Sequence, residues 1–174
     1  MRYHDTRIIG SQGEMLASVM LQTDEIFRVQ LLGETVEAFD IYVEINDKTH
    51  PYPFLVQVKA TDKDKRYSRN GINTPVPDEK LKWLIDRLVP TYVAGFDLRD
   101  LKMYLAPAFN MKTSYRNGIP VNHTLDLNNR NATAGVLRLL KRDVMNYWQS
   151  LNTANFKDSF LCGGNYSAIS LSRP

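Results

Sequence analysis

The chain has 174 residues, about the size of one domain, and its 43% apolar and 24% charged content is that of an ordinary globular protein rather than a disordered one. No stretch approaches the roughly 18 unbroken apolar residues of a membrane span, and a single cysteine, Cys162, excludes an internal disulfide framework or a four-thiolate zinc site. The net charge of +3 is compatible with a polyanionic partner without selecting one. The first residues, Met1 to Asp5, lack the apolar core of a secretory signal. Together these features set the expectation of a reducing cytoplasm and no membrane partner.

The first predicted helix runs from about Gln12 to Gln22, with Met15, Leu16, Val19 and Met20 clustered on one face and Ile8 and Ile9 as an optional backward extension. Phe27, Val29 and Leu31 alternate with Arg28 and Gln30 as a half-buried strand ending at Gly33. A second strand places Phe39, Ile41, Val43 and Ile45 on one face and Asp40, Tyr42 and Glu44 on the other. After a turn at Asn46–Lys48, Phe54, Val56, Val58 and Ala60 alternate with Leu55, Gln57 and Lys59. The short link between the two strands predicts an antiparallel hairpin or close meander.

Residues 62–77 read as a polar, basic loop. Pro77 then starts a helix, with Asp78 and Glu79 near its positive end. Leu81, Leu84, Ile85 and Leu88 form its apolar stripe, and Pro90 stops it. Tyr92–Phe96 and Met103–Ala106 read as two more strands. Residues 109–132 show no usable period and carry six asparagines, a loop long enough to be functional or mobile. A last helix, about Thr133 to Leu151, aligns Val136, Leu139, Leu140, Val144, Tyr147 and Leu151. Strands before and after a helix predict a mixed α/β sheet flanked by helices.

Polar residues stand where a central strand should be apolar. Gln57 and Lys59 share a face about 6.6 Å apart, at roughly 3.3 Å per residue, and Asp40 projects from the polar side of the preceding strand. Each alone could be the wet side of a sheet or a charged edge strand. Together they offer one carboxylate, one amide and one ammonium to a common point. Phosphodiester hydrolysis needs a hard cation held by oxygens and a positive group near the attacking water. Asp40 would anchor Mg²⁺, with Mn²⁺ able to substitute, Gln57 would offer its side-chain carbonyl and Val58 its backbone carbonyl. Lys59 would orient or help deprotonate the water and offset charge on the phosphate. Glu44 shares the face of Asp40 but lies about 13 Å along the strand, too far to share its metal.

Gly13-Glu14 in the first helix, Asp40 in Phe39-Asp-Ile-Tyr-Val-Glu-Ile, and Gln57-Val58-Lys59 resemble the PD-(D/E)XK nuclease superfamily, and most closely its domain-of-unknown-function family 4365 branch with a Gln-x-Lys variant. The resemblance covers roughly Ile8 to Ala108. It implies a restriction-endonuclease-like core in αβββαβ order over residues 1–108. Residues 109–174 have no counterpart in that family and are expected to add the Asn-rich loop and a C-terminal helix packed on the core. It also implies a metal-dependent endonuclease acting on DNA in a prokaryotic antiphage or restriction-type defence context, with Lys59, Asp40, Gln57 and Glu14 as the catalytic set. Phe39 stands where the superfamily has its proline, and Gln57 replaces an acidic ligand, removing one negative charge from the metal site. That loss motivates the alternative of a catalytically inactive nuclease fold serving as a nucleic-acid-binding or assembly subunit, and an RNA-directed nuclease is a third reading.

Two further readings stay open on the residues alone. Ser11-Gln-Gly-Glu14 also fits a capping box, in which Glu14 would satisfy backbone donors at a helix start. Lys63, Lys65, Arg66 and Arg69 follow the motif and would contact phosphates, or form a solvated loop, as would Lys112, Arg116 and Arg130. His4, His50 and His123 show no zinc spacing, and Trp83 and Trp148 read as packing residues. Cutting both strands of a duplex calls for two active sites, so a homodimer, or a place as partner subunit of a defence complex, is expected.

Overall fold

The computed structural model describes residues 3–33, 39–48, 50–64, 67–68, 71–108 and 115–155. Helix α1 (Tyr3–Leu21) leads through a 3-10 turn (Thr23–Glu25) into strand β1 (Phe27–Leu31). Then come β2 (Ile41–Ile45), β3 (Pro53–Thr61), the short strands β4 (Tyr67–Ser68) and β5 (Gly71–Ile72), and helix α2 (Asp78–Ile85). Strands β6 (Thr91–Asp97), β7 (Lys102–Pro107) and β8 (Thr124–Asp126) and helix α3 (Arg130–Asn155) complete the described chain. No described helix is long and apolar enough to cross a membrane.

The main sheet has six strands in the order β1-β2-β3-β6-β7-β8. β1, β2 and β3 form an antiparallel meander, with Val43 opposite Val29 on one side and Phe54 on the other. α2 is the crossover that brings β6 parallel to β3, pairing Gln57 with Val93 and Lys59 with Gly95. The sheet is therefore mixed, with helices on both faces, an α/β architecture as the alternation of patterns predicts. β4 and β5 form a separate two-stranded sheet.

One face buries Ile41, Val43, Val56, Val58, Tyr92, Ala94 and Phe96 beneath Ala17, Met20 and Leu21 of α1 and Leu137, Leu140 and Val144 of α3. Phe54 anchors this layer through edge-on contacts with Phe27 and Tyr92 at centroid distances of 5.1 and 5.5 Å. The opposite face packs Val93, Tyr104 and Ala106 against Leu81 and Leu84 of α2 and against Ile72, Val76, Tyr115 and Ile119 from the connecting segments. A strand between two such layers is covered on both sides, which is why β6 buries all seven of its residues and β3 six of its nine.

Several elements depart from the sequence pattern for physical reasons. α1 begins nine residues before Gln12, and its Met15 and Val19 are exposed. Met20 of the expected stripe is buried and Leu16 packs against the core, and the rest of the face that meets the sheet is Gly13 and Ala17, because small side chains let the helix lie close. Phe39 leaves the face of Ile41 and stacks on Trp83 of α2 at 5.7 Å. α2 ends at Ile85, so Leu88 is exposed. In α3 the expected Leu140 and Val144 are buried and are joined by Leu137, while Leu139 is exposed.

The segments read as loops also hold structure: β4 and β5 interrupt residues 62–77, and β8 pairs with β7 inside the Asn-rich region. Asn129 caps the start of α3 by accepting from the Ala132 amide at 3.1 Å. Thr133 Oγ1 exchanges hydrogen bonds with both backbone groups of Asp126 at 2.8 Å, tying helix to strand. Trp148 donates its indole N–H to the Pro53 carbonyl at 2.9 Å, and Tyr92 its hydroxyl to Asp143 at 2.6 Å, so α3 is fastened to β3 and β6.

Candidate active site

Asp40 sits where β2–β3 pairing begins. Its amide donates to the Val56 carbonyl at 3.0 Å, and its Oδ2 accepts the Val58 amide at 2.6 Å. The carboxylate thus takes up a β3 donor at the point where β2 pairing starts, which holds it in the sheet. Gln57, 1% exposed, projects to the same side. Its Nε2 makes a close contact with Asp40 Oδ2 and donates to the Val58 carbonyl at 3.2 Å, while its buried Oε1 has no partner.

A donor held between a carboxylate oxygen and a backbone carbonyl stands where a cation would be held. Turning the amide by half a revolution puts the unsatisfied Oε1 there instead, which is favourable only if a positive ion draws the oxygens together. Asp40 Oδ2, Gln57 Oε1 and the Val58 carbonyl could then hold a hard divalent cation. Among the described residues no group of three or more His, Cys, Asp or Glu converges, so this ligand set would be one carboxylate with neutral oxygens.

Lys59 follows on the same face, half-buried. Burial pushes its ammonium below the ordinary lysine range, and Lys80 adds to this, while Asp40 and Glu14 oppose it. Burial likewise lifts the Asp40 carboxyl above the usual carboxylate range, against the Val58 N–H bond and the charges of Lys59 and Lys80. Lys59 of β3 is thus influenced by charged groups from three other segments, Glu14 of α1, Asp40 ahead of β2 and Lys80 of α2, and Lys80 also acts on Asp40.

Glu14 reaches the group because of its neighbour. A Cβ at Gly13 would overlap the Ala60 side chain, so only glycine lets α1 lie directly on β3 beside Lys59. The capping-box alternative is overturned: α1 starts at Tyr3, so Ser11 and Glu14 lie in its interior, where there are no orphan donors to cap. Lys80 escaped the sequence reading. Its signal was available, since it stands four residues before the buried Leu84 and three before Trp83, on the inward flank of α2.

A cleft of about 200 Å³ adjoins Lys59, lined also by Thr6, Thr61, Lys63, Asn73 and Thr74. Gly95, the strand partner of Lys59, makes room for this wall, because a Cβ there would strike Ile72 and Thr74. Lys63 is exposed at the cleft, whereas Lys65, Arg66 and Arg69 lie outside the described residues. The β4–β5 hairpin between them is tethered by Tyr67, whose hydroxyl donates to the buried Asp97 and meets that of Tyr104, each at 2.7 Å. Arg116 and Arg130 are paired with Asp78 and Asp24, and Lys112 and Cys162 fall outside the described residues. Glu44, set apart from the metal by spacing, accepts the Tyr42 hydroxyl at 2.6 Å. A larger cavity of about 310 Å³ lies under α3 on the opposite face, lined by Tyr92, Leu140 and Asp143, away from these groups. Comparison of the chain with protein-family models, with curated proteins and with solved structures returned no match.

Proposed function

We propose that this chain is a Mg²⁺-dependent endonuclease with a restriction-endonuclease-like core, hydrolysing DNA phosphodiester bonds in the cytoplasm in a prokaryotic antiphage or restriction-type defence context. The observation that carries the reading is the meeting of Asp40 Oδ2, the Gln57 amide and the Val58 carbonyl at one point, with Lys59 next on the same face. The antiparallel meander followed by a helical crossover into a parallel strand supports the core assignment. The defence setting and the choice of DNA rest on the motif resemblance.

Asp40, Gln57 and Val58 would hold the cation, which when bound would polarise the phosphate and make its bound water more acidic. Lys59 does the proton and charge work. Its lowered ammonium pKa brings proton transfer closer to neutral pH, and its charge offsets that developing on the phosphate. Glu14 opposes the effect of burial and so favours the charged form of Lys59. The cleft beside Lys59 would receive the neighbouring part of the strand, with Lys63 at its rim for a phosphate.

The test is cleavage of plasmid DNA with Mg²⁺ or Mn²⁺. Lys59→Ala and Asp40→Ala are each expected to slow it by about 10²-fold or more, and chelation to stop it. Activity that survives both chelation and Lys59→Ala sinks the mechanism. The neutral Gln57, hydrogen-bonded to Asp40, favours a second reading: a nuclease fold that no longer cuts and binds nucleic acid as an assembly subunit. Salt-sensitive DNA binding without metal-dependent hydrolysis on any substrate selects that reading. Matched RNA and DNA strands decide the nucleic acid.

A further inference from the structure

We propose that Lys80 belongs to this site as a second phosphate-binding cation, its ammonium facing Asp40 and Lys59 from α2 and taking the phosphate with Lys59, so that the site takes one divalent cation and not two. The inference rests on the nuclease reading above.

The fold places Lys80 at this level by construction. Thr91 Oγ1 donates to the Leu84 carbonyl at 3.1 Å, which ties the end of α2 to the start of β6. Thr91 pairs with Leu55 of β3, so Leu84 and Leu55 are level. α2 runs opposite to β3, and Lys80 lies four residues back from Leu84, about 6 Å along the helix. Gln57 lies two residues on from Leu55, about 6.6 Å along the strand. The two displacements agree, and Lys80 comes level with Gln57. Rotation about the helix is set by Trp83, which stacks on Phe39, the residue next to Asp40. Lys80 precedes Trp83 by three residues and Leu84 by four, so its side chain leaves the flank of α2 that turns toward Asp40. The electrostatic influence of Lys80 on both Asp40 and Lys59 agrees with this placement.

Charge decides what such a site can take. Glu14 and Asp40 supply two negative charges, Lys59 and Lys80 two positive ones, so the group is balanced before any ligand enters. The balance accommodates one divalent cation together with a phosphate. A second divalent cation would have to sit against two ammoniums with no further carboxylate among the site's ligands, which is unfavourable at these separations. In a site that has lost an acidic ligand at Gln57, a lysine on the opposite wall supplies the positive charge that a second metal would otherwise bring to the phosphate.

The test uses the full chain carrying Lys80→Gln, Lys80→Arg or, as a control on the exposed side of α2, Lys82→Gln. Three quantities are measured: Mn²⁺ affinity and stoichiometry without nucleic acid, duplex affinity in Ca²⁺, and single-turnover cleavage in Mg²⁺. Lys80→Gln is expected to tighten Mn²⁺ binding about threefold or more, because a repelling charge is gone, while weakening duplex binding and slowing cleavage about tenfold or more. Lys80→Arg should restore both within a few-fold, Lys82→Gln should change none, and the wild type should bind one Mn²⁺ per chain. A merely structural defect moves metal and duplex affinity in the same direction, so Mn²⁺ binding that is unchanged or weaker in Lys80→Gln overturns the proposal. Two Mn²⁺ per chain, or duplex affinity untouched by Lys80→Gln, overturns it equally. If the wild type does not cut DNA at all, the nuclease reading fails by itself, and the Mn²⁺ and duplex affinities still decide the place of Lys80.

Discussion

Asp40 and Lys59 of the candidate site are held as charged groups against the interest of the fold. Burial disfavours both the Asp40 carboxylate and the Lys59 ammonium relative to the unfolded chain, as the directions of their shifts state. For Asp40 the folded-state penalty is full only above the raised folded-state pKa and fades as pH falls from there toward 3.8, the ordinary value, below which both states are protonated. For Lys59 the penalty is present at neutral pH and is lost as pH rises toward 10.5. Asp40→Asn keeps an acceptor for the Val58 amide and removes the charge, so its melting temperature is expected to rise at pH 7, with the gain shrinking toward pH 3.8. Lys59→Met is expected to melt higher at pH 7 as well, while cleavage falls by about 10²-fold. Thermal scans at two pH values beside a single-turnover assay check both. A melting temperature that drops in Asp40→Asn means the carboxylate is retained for stability. At this scale Asp40, Gln57 and Lys59 were legible from residue type and spacing on a strand, because a period of two needs no tertiary knowledge. Glu14 and Lys80 lie on helices whose rotation and distance from the sheet the pattern leaves open.

Among the elements, α1 carries the clearest conflict between local preference and packing. Alanine is favoured over glycine in a helix by about 1 kcal/mol, yet a Cβ at Gly13 collides with Ala60, and overpacking of that kind costs about 1–3 kcal/mol. Gly13→Ala is therefore expected to destabilise by about 1 kcal/mol net and to weaken the influence of Glu14 on Lys59. Adding Ala60→Gly should recover stability, and urea titration of the two single variants and the double variant measures the coupling. If Gly13→Ala melts above the wild type, α1 does not press on β3 at this point. The same contact explains why only Leu16 and Met20 of the apolar stripe of α1 face the core. Bulk marks a buried face when a helix stands off from a sheet, but a helix drawn in close presents Gly13 and Ala17 and leaves Met15 and Val19 outside.

Across the whole molecule, the part of the chain after residue 108 is continuous with what precedes it. β8 extends the sheet beside β7, and Leu125, Leu137, Leu140 and Val144 lie in the same buried cluster as Ile41, Val56 and Phe96. Leu137, fully buried on the side of α3 that faces the sheet, is expected to cost about 2–5 kcal/mol on replacement by alanine. The loss should appear in one cooperative unfolding transition seen equally by far-ultraviolet dichroism and by tryptophan fluorescence. Two separated transitions would mean that α3 folds apart from the meander. A chain ended at residue 108 would leave Tyr92, Met103 and Leu105 without the residues that cover them, and should give no cooperative transition.

The strands β1, β2, β3, β6 and β7, the existence of three helices and the trio Asp40, Gln57 and Lys59 were determined by local pattern. Alternation, helical spacing and proline stops act within a few residues and are written directly in the chain. The parallel pairing of β3 with β6, the approach of α1 through Gly13, the departure of Phe39 to Trp83 and the electrostatic influence of Lys80 on Lys59 were decided only by the tertiary structure. Each of these depends on which surfaces meet when distant segments pack, and burial energy is shared among partners that no single stretch of sequence contains.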